Sequence, residues 1–185
     1  MDSYVTRQQV REINRKLFAN DIIYSDDGVD TLQQLIASIV QRYDPDDEIA
    51  GVPFIIEIKE NNLTDTTFQN ILILNKDSVL IQINSTILAI PEKVAIIKKI
   101  KEAGYKIVII INKEDTVFTL AKIFADIVKF DINALPENMF NDRNTFICKK
   151  LAYNVNTADD YVLAEHSGVD YYEGTYISPP SNVEI

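Results

Sequence analysis

Residues 104–132 read GYKIVIIINKEDTVFTLAKIFADIVKFDI. The run from Lys106 to Ile111 is almost unbroken Ile and Val, the pattern of a strand buried on both faces rather than on one. DTVFTLAKIFA then has the composition and spacing of a short helix, and DIVKFDI is a second apolar strand. Strand, helix and strand with short connections indicate a parallel crossover unit.

The alternation extends in both directions. PFIIEIK, SVLIQIN and LAYNV read as further strands, and VDYYEGTYIS as the last strand, followed by a Pro-Pro tail. PEKVAIIKKIKEAG reads as a helix with Pro91 in its first turn and Gly104 as its stop. TADDYVLAEHSG reads as a helix capped by Thr157 and stopped at Gly168, and NDRNTFICKK as helical. Nearer the start, REINRKLFANDIIYSDD reads as a strand pair turning at Asn14–Lys16, with Leu17 to Tyr24 as its second strand. VDTLQQLIASIVQRY places Leu32, Leu35, Ile36, Ile39 and Val40 at helical spacing, and TDTTFQNIL one or two helical turns with Thr64 as N-cap. Seven or eight strands favour a barrel over an open sheet. The chain is shorter than the ~250 residues typical of an eight-fold barrel, so its helices must be short or missing. No linker divides residues 1–185, which read as a single domain.

Bulk composition narrows the function. The chain has 185 residues, 46% of them apolar, and a net charge of −10. Such a surface repels phosphate backbones, which argues against a nucleic-acid polymer as partner. The one cysteine, Cys148, and the one histidine, His166, are too few for a Cys/His zinc site. Cys148 reads as a semi-buried thiol and His166 as a charge at a helix end. The acidic YDPDDE stretch lacks the glycine and bidentate glutamate of a calcium loop and reads as solvated. The opening MDSYVTRQQVREINRK has no apolar core of a signal peptide, and no window is long enough for a membrane span. A cytoplasmic protein without membrane attachment is expected.

One detail resists a purely structural reading. Lys129 and Asp131 sit two apart in the apolar strand DIVKFDI, so both point to the same face. Burying two charges is costly unless they pair or serve a purpose.

GYKIVIII, ADIVKFDI, LAYNVNTADDYVLAEHSGVDYYEGTYISPP and the opening RQQVREINRKLFANDIIYSDD resemble the EAL-domain family, and most nearly the EAL half of proteins that pair it with an HDOD domain. The resemblance covers nearly the whole chain in order. It implies a modified, trimmed TIM-like (β/α) barrel. In that family the activity is hydrolysis of cyclic-di-GMP by two divalent metals, magnesium or manganese, held by carboxylates at the C-terminal mouth. Hard cations want oxygen ligands, and a metal pair both activates water and neutralises phosphate.

Carried over residue by residue, the resemblance implies a site nearly stripped of that chemistry. Asp21 stands for the metal-binding glutamate of the signature segment, and Ser25 for the arginine that would hold substrate. Glu57 replaces an asparagine ligand and Gln82 a glutamate. Ile110 and Ile111 fall on the aspartate pair, with Asn112 after them. Lys129 and Asp131 match the family's lysine and aspartate and are remnants of the catalytic centre. Tyr153 and Asn156 take the places of two glutamates, and Glu173 that of a glutamine. A slipped register would bring Glu114 and Asp115 to the mouth instead of the isoleucines.

The resulting expectation is a degenerate EAL-type domain. No intact catalytic set and no metal are expected, beyond one ion held weakly by Asp21, Glu57 and Asp131. Without metals, Lys129 and Asp131 become an ion pair at the mouth that also meets Glu57 or Glu173. If a nucleotide binds, Asp21, Ser25, Tyr172, Glu173 and Tyr176 are the candidate contacts. Tyr171, Tyr172 and Tyr176 could stack on a base, although strand aromatics generally serve packing. The expected role is regulatory, through another protein or by sensing cyclic-di-GMP without cutting it, and a homodimer is compatible with it. The alternative is a metal-dependent cyclic-di-GMP phosphodiesterase.

Overall fold

The computed structural model describes residues 5–24, 32–37, 51–112, 118–134 and 148–182. Two antiparallel strands open the chain, β1 (Val5–Glu12) and β2 (Leu17–Tyr24), joined by a tight turn in which Arg15 takes a left-handed φ of 67°. β3 (Phe54–Glu57), β4 (Val79–Asn84), β5 (Lys106–Ile110), β6 (Ile127–Asp131), β7 (Lys149–Tyr153) and β8 (Tyr171–Glu173) follow, and each pairs in parallel with the strand before it. β1 then pairs antiparallel with both β8 and β2, which closes eight strands into a barrel. A two-residue strand, β9 (Ser181–Asn182), lies against Thr6 and Arg7 of β1.

Two expectations need correction. The last segment is not one strand: pairing stops at Glu173, the chain turns over Gly174–Ile177, and β9 forms beyond the prolines. Lys149 and Lys150 belong to β7 rather than to a helix, and Asn141–Ile147 lie outside the described residues.

Residues 32–37 form helix α1, with Leu32, Leu35 and Ile36 buried. In α2 (Asp65–Ile71), the Thr64 hydroxyl accepts from Thr67 N at 3.2 Å. In α3 (Pro91–Glu102), Pro91 fills the first turn and Lys99 and Lys101 the last, where cations suit the helix dipole. The chain leaves α3 through Gly104 at φ +93°, and the Tyr105 hydroxyl donates to the carbonyls of Ile71 and Leu74. α4 (Phe118–Phe124) and α5 (Ala158–His166) complete the helices described. α5 starts with a capping box in which Thr157 and Asp160 satisfy each other's backbone N–H groups.

The core has two layers. Val10, Ala19, Ile55, Leu80, Val108, Ile127 and Leu151 pack together, one from each of β1 to β7, with Tyr171 of β8 against them. A cluster with one member per strand can only be the barrel interior. The β1–β2 register skips Phe18, and this extra residue stacks on Tyr171 with ring centroids 3.9 Å apart. The alternate residues, such as Ile56, Ile81, Ile109, Val128 and Ala152, join the helices' apolar faces in the larger outer cluster.

Candidate functional site: the barrel mouth

Side chains alternate along a strand, so the next inward positions toward the mouth lie two residues past the interior cluster. They are Asp21, Glu57, Gln82, Ile110, Lys129, Tyr153 and Glu173, with Asp131 one step further along β6. On the antiparallel β1 the equivalent residue is Gln8, two before Val10. Of the described residues that the resemblance singled out, all but Ile111, Asn112 and Asn156 are in this set.

Lys129 fills its centre. Its ammonium donates to Asp21 Oδ2 and lies 2.7 Å from Glu173 Oε2 in a second ion pair. β6 and β2 are not neighbours in the sheet, so this contact crosses the interior. Side-chain exposures are 5% for Lys129, 2% for Asp21 and 7% for Glu173, which makes the triad a buried one. Burial alone would push the Lys129 ammonium down, but the Asp21 and Glu173 carboxylates beside it outweigh that and hold it above its ordinary value. Burial lifts the Glu173 carboxyl to about 7, with Lys129 pulling it back and Asp21 adding to the rise.

The expected Lys129–Asp131 ion pair does not form, because the lysine turns inward to the deeper carboxylates. Asp131 instead accepts from Asn154 Nδ2 at 2.8 Å and from Asn133 N at 2.9 Å, an aspartate serving the loops at the rim. The Lys129 ammonium also stands 5.4 Å from the Tyr153 ring, within cation–π range. Burial, then the Asp131 carboxylate, raise the Tyr153 phenol above its usual value. Glu57 is half-buried at the end of β3, and its carbonyl accepts from the Tyr24 hydroxyl at 2.5 Å.

Four further expectations fare differently. Ile110 faces the mouth, but Ile111 points outward and packs in the outer cluster, so only one of the two stands in the site. Asn156 is exposed, and its Oδ1 accepts from the Thr175 backbone and hydroxyl at 3.0 Å, a loop contact away from the triad. Tyr172 faces the outer layer, as its position between the inward Tyr171 and Glu173 requires, and Tyr176 sits beside it against Tyr161. Neither tyrosine can stack on a ligand in the mouth. Ser25, Glu114, Asp115 and the YDPDDE stretch lie outside the described residues.

Gln8 is a mouth residue that the motif comparison missed. It is buried and its amide donates to the carbonyls of Gly174, at 3.2 Å, and Ser178. The signal was available: Val10 facing inward puts Gln8 inward too. The turn it holds also depends on Gly174, where a Cβ would come within 2.1 Å of the Val155 carbonyl oxygen.

The donor set can be tested against a metal pair. Asp21 Oδ1 and Gln82 Oε1 are buried acceptors without a hydrogen-bond partner among the described residues, the feature of the mouth most open to a cation or an ordered water. Two such atoms fall well short of the six or more oxygens that magnesium or calcium takes. The Lys129 ammonium already engages both carboxylates, and Ile110 contributes an alkyl group. Among the described residues no group of three or more His, Cys, Asp or Glu is placed to hold a metal ion. Among the described residues the donor set at the mouth does not fit a metal pair.

No family model matches the sequence, and no curated protein does. Solved structures do match. The EAL domain of Mycobacterium smegmatis DcpA aligns over 97% of this chain and 93% of its own length, with a TM-score of 0.78 at 13% identity. Bacillus subtilis YkuI, a protein with an EAL domain solved in complex with substrate c-di-GMP and calcium, gives a TM-score of 0.77 at 15% identity. Klebsiella pneumoniae BlrP1, solved as a calcium/cy-diGMP complex, gives 0.77 at 14%. The alignments cover all of this chain but only 56% of YkuI and 57% of BlrP1, so it spans little more than half of either protein. At such identities the likeness speaks for the fold, and the fold is the EAL-type TIM-like barrel.

Proposed function

We propose that the chain is a degenerate EAL-type domain that does not hydrolyse cyclic-di-GMP and acts in regulation through contact with another protein. One observation carries this reading: where a metal-dependent phosphodiesterase needs carboxylates free to ligate, Asp21 and Glu173 are engaged by Lys129, and Ile110 stands beside them. Without a metal pair the mouth has no group to polarise a phosphodiester or activate water. Fold alone does not decide function, and here the site argues against the chemistry.

A second reading, a receptor for cyclic-di-GMP, draws on another solved structure that this chain resembles. The Xanthomonas citri FimX EAL domain, with a TM-score of 0.74 to this chain, was solved in complex with c-diGMP. Against it stand the net charge of −10 and the absence of any Arg among the described mouth residues, since a guanidinium suits phosphate as a hydroxyl does not.

Incubation with cyclic-di-GMP and manganese, followed by chromatography for the linear dinucleotide, tests the inactive reading. No product is expected, and steady turnover refutes it. Calorimetry with the same nucleotide and no added metal decides between the two non-catalytic roles. Micromolar binding favours the receptor; no binding favours protein contact, which a pull-down from the source cell then pursues.

A further inference from the structure

The barrel has a second concavity, on its outer wall, where β1 and β8 meet α5. It encloses about 260 Å³ and is lined by Arg11 and Glu12 of β1, Arg15 of the turn, Tyr161 of α5, and Tyr172 and Tyr176. It shares no residue with the mouth triad. The volume lies just under the ~300 Å³ at which drug-sized ligand sites begin, and suits a single ring with one substituent.

Three features single it out. The Tyr172 side chain, on the cavity lining, is 1% exposed, and its hydroxyl has no hydrogen-bond partner among the described residues. Leaving such a group unpaired is costly, and an occupant of the cavity is the natural partner. Next, two guanidiniums meet here. Arg11 donates to the Arg15 carbonyl and to Gln9 Oε1, both at 2.7 Å, and Arg15 and Glu165 both lie near the Tyr161 hydroxyl. Neither arginine forms a salt bridge among the described residues. Glu12, the one carboxylate on the lining, is bonded by Asn14 Nδ2 at 3.0 Å, and Glu165 lies behind Tyr161, so the lining itself carries two cations and one anion in a chain that is acidic overall. Finally, Tyr161 stands 5.1 Å from Tyr172 and 5.9 Å from Tyr176, ring centroid to centroid, both tilted, so three rings form one aromatic wall.

We infer that this outer-wall cavity is a binding site for a small oxyanion carried on one aromatic ring, a phosphate monoester or a carboxylate. The ring lies against the three tyrosines, the anion is met by Arg11 and Arg15, and the Tyr172 hydroxyl supplies the buried hydrogen bond. Arginine's fixed fork matches either oxyanion, so the shared chemistry is what the site reads.

The test uses phenyl phosphate, benzoate and inorganic phosphate as probes, with calorimetry for affinity and the tyrosine ring resonances for location. Phenyl phosphate or benzoate is expected to bind with a dissociation constant of about 1 mM or tighter, shifting Tyr161, Tyr172 and Tyr176 but not Tyr153. Whichever of the two binds more tightly tells a phosphate site from a carboxylate site. Arg11→Gln is expected to weaken that binding by about tenfold and Tyr172→Phe by about threefold. Tyr172→Phe removes only an unpartnered hydroxyl, so it should melt no lower than the parent and remains informative if the arginine variant fails to fold. The inference is overturned if neither ringed probe binds, if inorganic phosphate binds as tightly as they do, or if Tyr172→Phe leaves the affinity unchanged.

Discussion

Replacing Lys129 with methionine tests the account of the mouth most directly. Methionine keeps the length of the side chain and removes the charge that Asp21 and Glu173 share. Both carboxylates are then buried without a counter-charge, at side-chain exposures of 2% and 7%. Removing one partner of a buried ion pair costs about 3–5 kcal/mol. For a chain of this size each kcal/mol moves the melting temperature by about 2–4 °C, so Lys129→Met should melt on the order of 10 °C lower at pH 8. The deficit should shrink as acid is added, because a protonated carboxyl no longer needs a cation. The triple variant Asp21→Asn, Lys129→Met, Glu173→Gln should recover most of the loss, since it removes the stranded charges along with their partner. Melting curves by circular dichroism at pH 5 and pH 8 measure all of this. A loss under about 1 kcal/mol at pH 8, the range of a solvated pair, or a loss independent of pH, would show that water already screens these groups and that the mouth is not closed by the triad.

Three further outcomes follow from the same structure. Glu173 has its pKa raised from 4.5 to about 7 by burial, so the folded state holds a proton that the unfolded chain gives up; its contribution to stability is full below about 4.5 and is lost as pH rises through 7, and Glu173→Gln should flatten this part of a urea-midpoint profile. Gly174→Ala would place a Cβ 2.1 Å from the Val155 carbonyl oxygen at φ +156° and should destabilise by about 2 kcal/mol or more in chemical denaturation. Thr157→Ala breaks the capping box of α5 and should cost about 1 kcal/mol by the same measurement, while Thr157→Ser should lose much less.

The barrel was legible because its strands declare themselves. Continuous Ile and Val runs, Pro91 and Gly104 around one helix, and Thr157 with Gly168 around another are local signals that the structure keeps. What sequence reading missed was decided by facing. Ile110 and Ile111 look alike in sequence, yet alternation sends one into the mouth and the other under the helices. Tyr172 and Tyr176 seemed placed for a ligand in the mouth, but the inward positions around them belong to Tyr171 and Glu173. Of the two partners of Lys129, the sequence reading names Glu173 but misses Asp21, for a related reason. Asp131 is near in sequence and on the same face, while Asp21 is reached only by crossing a closed barrel, a contact no local pattern announces. The end of β8 was missed because Gly174, which permits the turn, sits inside a run of aromatics that reads as strand.

β1 is the one strand that runs against the rest, and it is stitched on one side to β2 and on the other to β8 and β9. The amide of Gln8 reaches Ser178, 170 positions along the chain. During synthesis, then, β1 finds one neighbour in β2 at once and waits for the other until β8 has been made. Over that interval its second edge offers unsatisfied N–H and C=O groups to any passing strand. Arg7, Arg11 and Gln9 along that edge are poor company for another sheet, a safeguard whose worth would be seen in the yield of soluble protein rather than in the stability of the finished barrel.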